Sequence, residues 1–252
     1  MKNRLIAALA AAFLSAACDH ATAVGPEVRQ IVVGVSPDWN SMHGRVQCFE
    51  RSPGGPWKPA LGPIPVLFGK NGLAWGRGVE GTTEAGNHKA ERDGRAPAGV
   101  FEIGKVYTYD PALPAGSNYP FHQVTNADAW VDDPKLPNYN RFVTIPDPAH
   151  PPDWFEKQKM RHGDFAYRWL VEIRHNSDSP QPGAGSAIFF HIRRGENRPT
   201  SGCTTMAEGE LARLIRWLRA ADHPQYVLLP REEYNRRWQE WGLPDPALLT
   251  ND

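Results

Sequence analysis

The sequence predicts a mostly-β domain of the α+β type with flanking helices, and three observations carry that expectation. Glycine and proline make up 47 of the 252 residues, about 19 % against roughly 12 % in an average chain, which favours many turns and short strands. Short apolar or alternating runs recur along the chain, whereas one stretch alone keeps a sustained helical period. With 28 basic and 28 acidic residues and 40 % hydrophobic residues, the chain is neither a solvated disordered segment nor a membrane bundle. It also lacks the electrostatic footprint of a nucleic-acid binder.

The first segment reads as an address. Lys2 and Arg4 precede an uncharged stretch over residues 5–17, too short to span a bilayer and of signal-peptide length. Two exits follow: residues 14–18 resemble a lipobox ending at Cys18, and Ala21, Thr22 and Ala23 read as a small-residue cleavage site. The expected organisation is a signal peptide over residues 1–23, then a single domain over residues 24–252. An exported protein results, in the periplasm or envelope, with the membrane involved only through a lipid on Cys18. In that oxidising setting Cys48 and Cys203 are either a disulfide or free, and the surroundings of Cys203 argue for a free thiol.

Residues 30–35 and 44–49 read as two strands of a meander. Residues 64–68 read as an edge strand, because Pro65 has no N–H to give a ladder, and Lys70, Asn71 and Gly72 supply the turn after it. Residues 107–165 are dense in Pro, Asp and Asn without a sustained period, so they read as a long insertion with little regular structure. Strands return at residues 167–173 and 187–193. In the second, Ile188, Phe190 and Ile192 share one face, so His191 points the other way. From Met206 to about Ala221, Leu211, Leu214, Ile215 and Leu218 recur at helical spacing, with Thr205 to Glu208 as a capping box at the start. Residues 226–229 form a last short strand. The tail over residues 231–252 reads as a helix packed by Trp238 and Trp241.

Chemistry concentrates between His191 and the helix. Cys203 stands just ahead of the capping box, where free N–H groups and the positive end of the helix dipole lower a thiol pKa. His191 on the neighbouring strand supplies a base. Gly202 lets the backbone turn and present its N–H beside that of Cys203, an arrangement suited to the oxyanion of a tetrahedral intermediate. These pieces together imply acyl transfer. No metal and no cofactor are called for, since the other histidines show no ligand spacing.

His191 followed by Thr200, Ser201, Gly202 and Cys203 resembles the L,D-transpeptidase catalytic-domain (YkuD-type) family, which acts on bacterial peptidoglycan. Residues 93–101, Asp93 and Arg95 among them, look like the family's Gly/Pro segment before a strand. Trp130 to Pro134, Tyr139 with Asn140, and Leu229 to Arg231 look like a periplasmic subgroup. The resemblance covers residues 30–235 and implies a β-sandwich with flanking helices. It also implies a ping-pong reaction on peptidoglycan tetrapeptide stems, with Cys203 as nucleophile, His191 as general acid and base, the Gly202 and Cys203 N–H groups holding the oxyanion, and Ser201 among the catalytic positions.

Two positions depart from the family pattern: Ser201 stands where His is usual, and Thr205 where Arg is usual. Arg193, Arg194 and Arg198 in the intervening loop are therefore expected to anchor a substrate carboxylate. Thr200, Thr205, Asp93, Arg95, Trp130, Asp132 and Tyr139 complete the expected substrate contacts. An L,D-carboxypeptidase or amidase would use the same residues, and a non-catalytic peptidoglycan-binding envelope protein would keep the fold without the chemistry.

Overall fold

The computed structural model describes residues 23–79 and 85–250; the leader and Cys18 lie outside the described residues. In chain order the strands are β1 (Gln30–Ser36), β2 (His43–Glu50), β3 (Lys58–Leu67), β4 (Leu73–Trp75), β5 (Ala96–Thr108), β6 (Phe121–Gln123), β7 (Asp128–Trp130) and β8 (Phe142–Thr144). Helix α1 (Phe155–Gln158) follows, then β9 (Trp169–Ile173), β10 (Phe189–Ile192), β11 (Thr204–Met206), α2 (Glu208–Trp217), β12 (Gln225–Pro230) and α3 (Arg231–Arg237). The protein is mostly β, with 33 % of residues in strands against 13 % in helices.

Pairing runs β12-β1-β2-β3-β11-β10-β9-β5-β4, and β12 also pairs with β5, so the path of hydrogen-bonded strands closes on itself. The hairpin of β1 and β2 is antiparallel, whereas β1 with β12 and β10 with β11 are parallel. One large core fills the interior, with Val32, Val46, Phe68, Phe101, Phe190, Met206, Leu211, Leu214 and Tyr226 all buried in it. A second, smaller cluster on the opposite face of β10 gathers Tyr107, Trp130, Leu170 and Phe189, with Cys203 packed against it. The alternation in β10 therefore sorts as the sequence predicts: Phe190 and Ile192 go to the main core, Phe189 to the second cluster.

Within residues 107–165 the regular elements are short: β6 extends the sheet beside β5, and β7 pairs antiparallel with β8, three residues each, too short for a period to register. Two expectations need correction. Helix α2 does not begin at a capping box. Thr204 to Met206 form β11, Thr205 Oγ1 donates to the Leu67 carbonyl at 3.4 Å, and Ala207 is the N-cap with no side-chain bond. A strand partner on each side of β11 outweighs the local preference. Strand β3 is bordered by β2 along its length and meets β11 at Leu67, so the Pro65 edge is open on one side only. Among the described residues no helix is long and apolar enough to cross a membrane.

The turn after β3 locks the site loop to the sheet. Gly69 bridges both Gly72 and Thr200; Lys70 N–H donates to the Thr200 carbonyl at 2.8 Å and Thr200 N–H to the Phe68 carbonyl at 3.0 Å. A Cβ on Gly69 would sit 2.4 Å from the Gly94 carbonyl oxygen and 2.7 Å from Ala96 N, both backbone. Gly69→Ala is therefore expected to cost about 1–3 kcal/mol, read as a lower urea midpoint with unchanged m; an unchanged midpoint would contradict this packing.

Candidate active site

A parallel pair must be joined by a chain that leaves one end of the sheet and returns to the other. Between β10 and β11 that chain is the loop over residues 193–203, so its returning end lies beside the start of β10. In the register, Phe190 faces Thr204 and His191 faces Thr205. Cys203, one residue before β11, thus comes level with Phe189, on the face that also carries His191. With strands 4.7–4.9 Å apart and a rise near 3.3 Å per residue, the His191 and Cys203 Cα atoms are about 8 Å apart, within reach of a thiol and an imidazole.

The His191 ring is 2 % exposed. Its Nδ1 lies 2.9 Å from the Ile192 carbonyl, which fixes the proton on Nδ1 and leaves Nε2 with its lone pair. Tyr167 stacks edge-on against it at 5.1 Å, and Arg194 covers Tyr167 at 4.7 Å while pairing with Asp164 at 2.5 Å. Burial, and secondarily the Arg194 charge, holds the His191 pKa down at about 4, so the ring is a neutral base at neutral pH. The carbonyl that orients it belongs to the next residue of the strand, and not to the loop over residues 195–201.

Cys48 and Cys203 are both free. The Cys203 thiol donates to the Ala187 carbonyl at 3.5 Å, and Phe189 N–H supports the sulfur. Burial pushes this thiol up to about 11, opposed by the Phe189 N–H and by the charges of Lys89 and Arg194. The lowering expected from a helix dipole is not available here, because β11 separates Cys203 from α2. Gly202 is packed where a Cβ would meet the Arg95 carbonyl at 2.9 Å and the Ile188 side chain at 3.1 Å. Its N–H donates to Thr200 Oγ1 at 3.0 Å, and that hydroxyl donates to the Cys203 carbonyl at 2.7 Å. Ser201 is exposed.

A cleft of about 260 Å³ opens over Cys203, walled by Trp130, Asp132, Lys157, Gln158, Tyr167 and Phe189 among others. Trp130 and Asp132 are thus in the cleft. Burial and the nearby Glu91 raise the Asp132 carboxyl above the ordinary range. The remaining sequence candidates lie elsewhere. Arg193 lines a separate cavity, and Arg194 is held by Asp164. Arg198 is exposed and off the cleft wall, and Thr205 is buried under β3. Arg95 Nη1 donates to the Leu73 carbonyl at 2.9 Å on the far side. Asp93 grips Lys89 at 2.6 Å, and Tyr139 donates to Glu91.

Lys89 and Lys157 escaped the sequence reading, and Asn140 entered it only through the resemblance, without a role. Asn140 accepts from Ala187 N–H at 3.0 Å and from Trp130 Nε1 at 3.0 Å, and donates to the His175 and Asn176 carbonyls. It therefore fixes both Ala187, whose carbonyl accepts from the Cys203 thiol, and one wall of the cleft. Lys89, 6 % exposed, comes beside Gly202 with its ammonium on Asp93; a Lys four residues before an Asp in a Gly/Pro segment was the available signal. Lys157 lines the cleft without an acidic partner among the described residues. No group of three His, Cys, Asp or Glu residues able to hold a metal occurs among the described residues.

His175, fully buried, accepts from Arg77 N–H and donates to the Ala184 carbonyl, and burial lowers its pKa to about 3. Folded His175 and His191 both bind protons more weakly than in the unfolded chain. The unfolded state gains protons first as pH falls below the ordinary histidine value, so stability is full above it and drains away down to about pH 4 for His191 and lower for His175. Thermal melts across this window are expected to show a steady fall in Tm that is shallower in His175→Gln; a flat profile would contradict two neutral buried rings.

The family model described as L,D-transpeptidase catalytic domain (YkuD) matches residues 61–227, a span that includes His191, Cys203 and the cleft walls. No curated protein and no solved structure gives a significant match. The match covers more than half of the chain, and the protein belongs to the L,D-transpeptidase catalytic-domain family.

Proposed function

We propose that the protein is a cysteine-dependent acyltransferase on peptidoglycan stem peptides, with Cys203 as nucleophile and His191 as general acid and base. The observation that carries this reading is the shared face of β10 and β11. A neutral imidazole with a free Nε2 and a protonated thiol stand two register positions apart on one face, and the thiol lines a cleft. Family membership supports peptidoglycan as the substrate in general and a transferase role in the cell wall.

In the proposed cycle the Cys203 proton passes to His191 Nε2 as sulfur attacks the carbonyl of the third stem residue. The carbon–nitrogen bond to the terminal D-alanine breaks, and His191 returns the proton to the leaving amine. A thioester remains on Cys203. An amine from a second stem, or water, then attacks it, again losing its proton to His191, and the thiol is restored. The oxyanion falls to the N–H groups of Gly202 and Cys203; Gly202 N–H must exchange Thr200 Oγ1 for it. The high thiol pKa makes proton removal part of the chemical step, not of the resting state.

Lys157 and Lys159, rather than Arg193, Arg194 or Arg198, line the cleft, and Lys159 is held by Glu156, which supports Lys157 as the partner of a stem carboxylate. Trp130 and Tyr167 offer apolar walls for the peptide. The leader read in residues 5–17 supports an exported protein working in the envelope, free in the periplasm or held by lipid on Cys18.

Intact mass after acid quench, with reduced protein and a disaccharide-tetrapeptide, tests the reading. The wild type is expected to gain a thioester-sized adduct with loss of D-alanine, and Cys203→Ala none. In His191→Gln acylation is expected to slow by about 10²–10⁴-fold. No adduct on a wild-type protein whose Cys203 is shown to be free would contradict the proposal. The released products then separate cross-linking from trimming.

A further inference from the structure

A second cavity, of about 530 Å³, is larger than the Cys203 cleft and shares no lining residue with it. Arg45 from β2, Arg193 from the end of β10 and Arg231 at the start of α3 all line it, with His43 on its rim. Among the described residues no Asp or Glu lines it, and none of the three arginines forms an ion pair. All three are partly buried. The floor is apolar, made by Val35, Val66 and Leu67.

Several other arginines each meet a carboxylate, Arg168, Arg174, Arg194, Arg213, Arg219 and Arg236 among them, whereas Arg45, Arg193 and Arg231 gather in one cavity without one among the described residues. Like charges gathered in one concavity and partly withdrawn from water repel one another. The repulsion turns into attraction once an oxyanion sits between them. Guanidinium forks match carboxylate and phosphate oxygens with paired, charge-assisted hydrogen bonds. The cavity is also larger than a bare ion needs, and its apolar floor suits a small carbon body attached to the anionic group.

We propose that the cavity between β2, β3, the end of β10 and the start of α3 is an anion-binding site, separate from the Cys203 cleft. Its ligand carries a phosphate or a carboxylate on a compact organic body, and Arg45, Arg193 and Arg231 receive the charge. Arg193 stands two residues beyond His191, its N–H on the Met206 carbonyl at 2.8 Å. Leu67 in the floor faces Thr205 of β11. The site is therefore built on the strands that carry His191 and Cys203, yet its existence does not depend on the acyl-transfer reading.

Titration calorimetry on the whole protein with inorganic phosphate and with N-acetyl-D-alanine, at ionic strength held constant with sodium chloride, tests the site. At least one of the two probes is expected to bind saturably to wild type. The same probe is expected to bind at least tenfold more weakly to the double variant Arg45→Gln, Arg231→Gln, and unchanged to Arg213→Gln on the exposed face of α2. Preference for phosphate or for N-acetyl-D-alanine assigns the anionic group. A double Arg45→Lys, Arg231→Lys variant keeps the charge without the forks and guards against a folding defect; intermediate binding is expected of it. Equal binding by wild type and the Gln double variant, or no binding of either probe to wild type, overturns the proposal. Neither result bears on thioester formation at Cys203.

Discussion

The parallel pairing of β10 with β11 is the constraint on which the rest depends. Had the strands been joined by a tight hairpin, His191 and the residues of the loop over 193–203 would have run apart. The parallel register instead returns the chain so that Thr205 faces His191 and Cys203 comes level with Phe189. The loop is held at both ends: Arg193 N–H bonds the Met206 carbonyl, and Thr200 is stitched to Phe68 and Lys70. Gly202 fits only because nothing stands between it and the Arg95 backbone. The proposed nucleophile and base are thus placed by sheet hydrogen bonds rather than by contacts with each other.

Electrostatics follow from that placement. On the inner face of the second hydrophobic cluster, burial favours the uncharged form of every group, so His191 is held as neutral imidazole and Cys203 as thiol. The two shifts act in the same direction, against a resting thiolate–imidazolium pair. Two features moderate the cost of ionising the sulfur when the reaction requires it: the Phe189 N–H and the buried ammonium of Lys89. The side chain of Asn140 ties Trp130, Ala187 and the His175 turn into one frame under the cleft. A site of this kind protects its thiol at rest and relies on a correctly placed base for each turnover.

Much of this was legible in the sequence and some was not, for definite reasons. Strands β1, β2, β10 and β12 show continuous or alternating apolar residues, and the direction of His191 follows from its apolar neighbours at positions 188, 190 and 192. The helix start was misread because Thr205 and Glu208 have the spacing of a capping box, while the deciding contacts, the strands on either side of Thr204–Met206, are far away in the chain. The thiol pKa was misjudged in consequence. Arg193 and Arg194 looked equivalent in the loop, yet one turns into the arginine-lined cavity and the other onto Asp164. Asn140 reaches Ala187 across 47 positions, and no local pattern announces a bond of that range.

The chemistry of the site turns on a half-buried Cys203 resting as a neutral thiol beside a neutral His191. Thiolate absorbance followed through an alkaline titration, as the difference between wild type and Cys203→Ser, measures this directly. Cys48 lies deeper, with its thiol pushed higher still, and cancels in the difference. The account requires a Cys203 midpoint well above the ordinary thiol value of 9.0, near 11. A midpoint at or below neutrality would mean a resting ion pair with His191 and would contradict it.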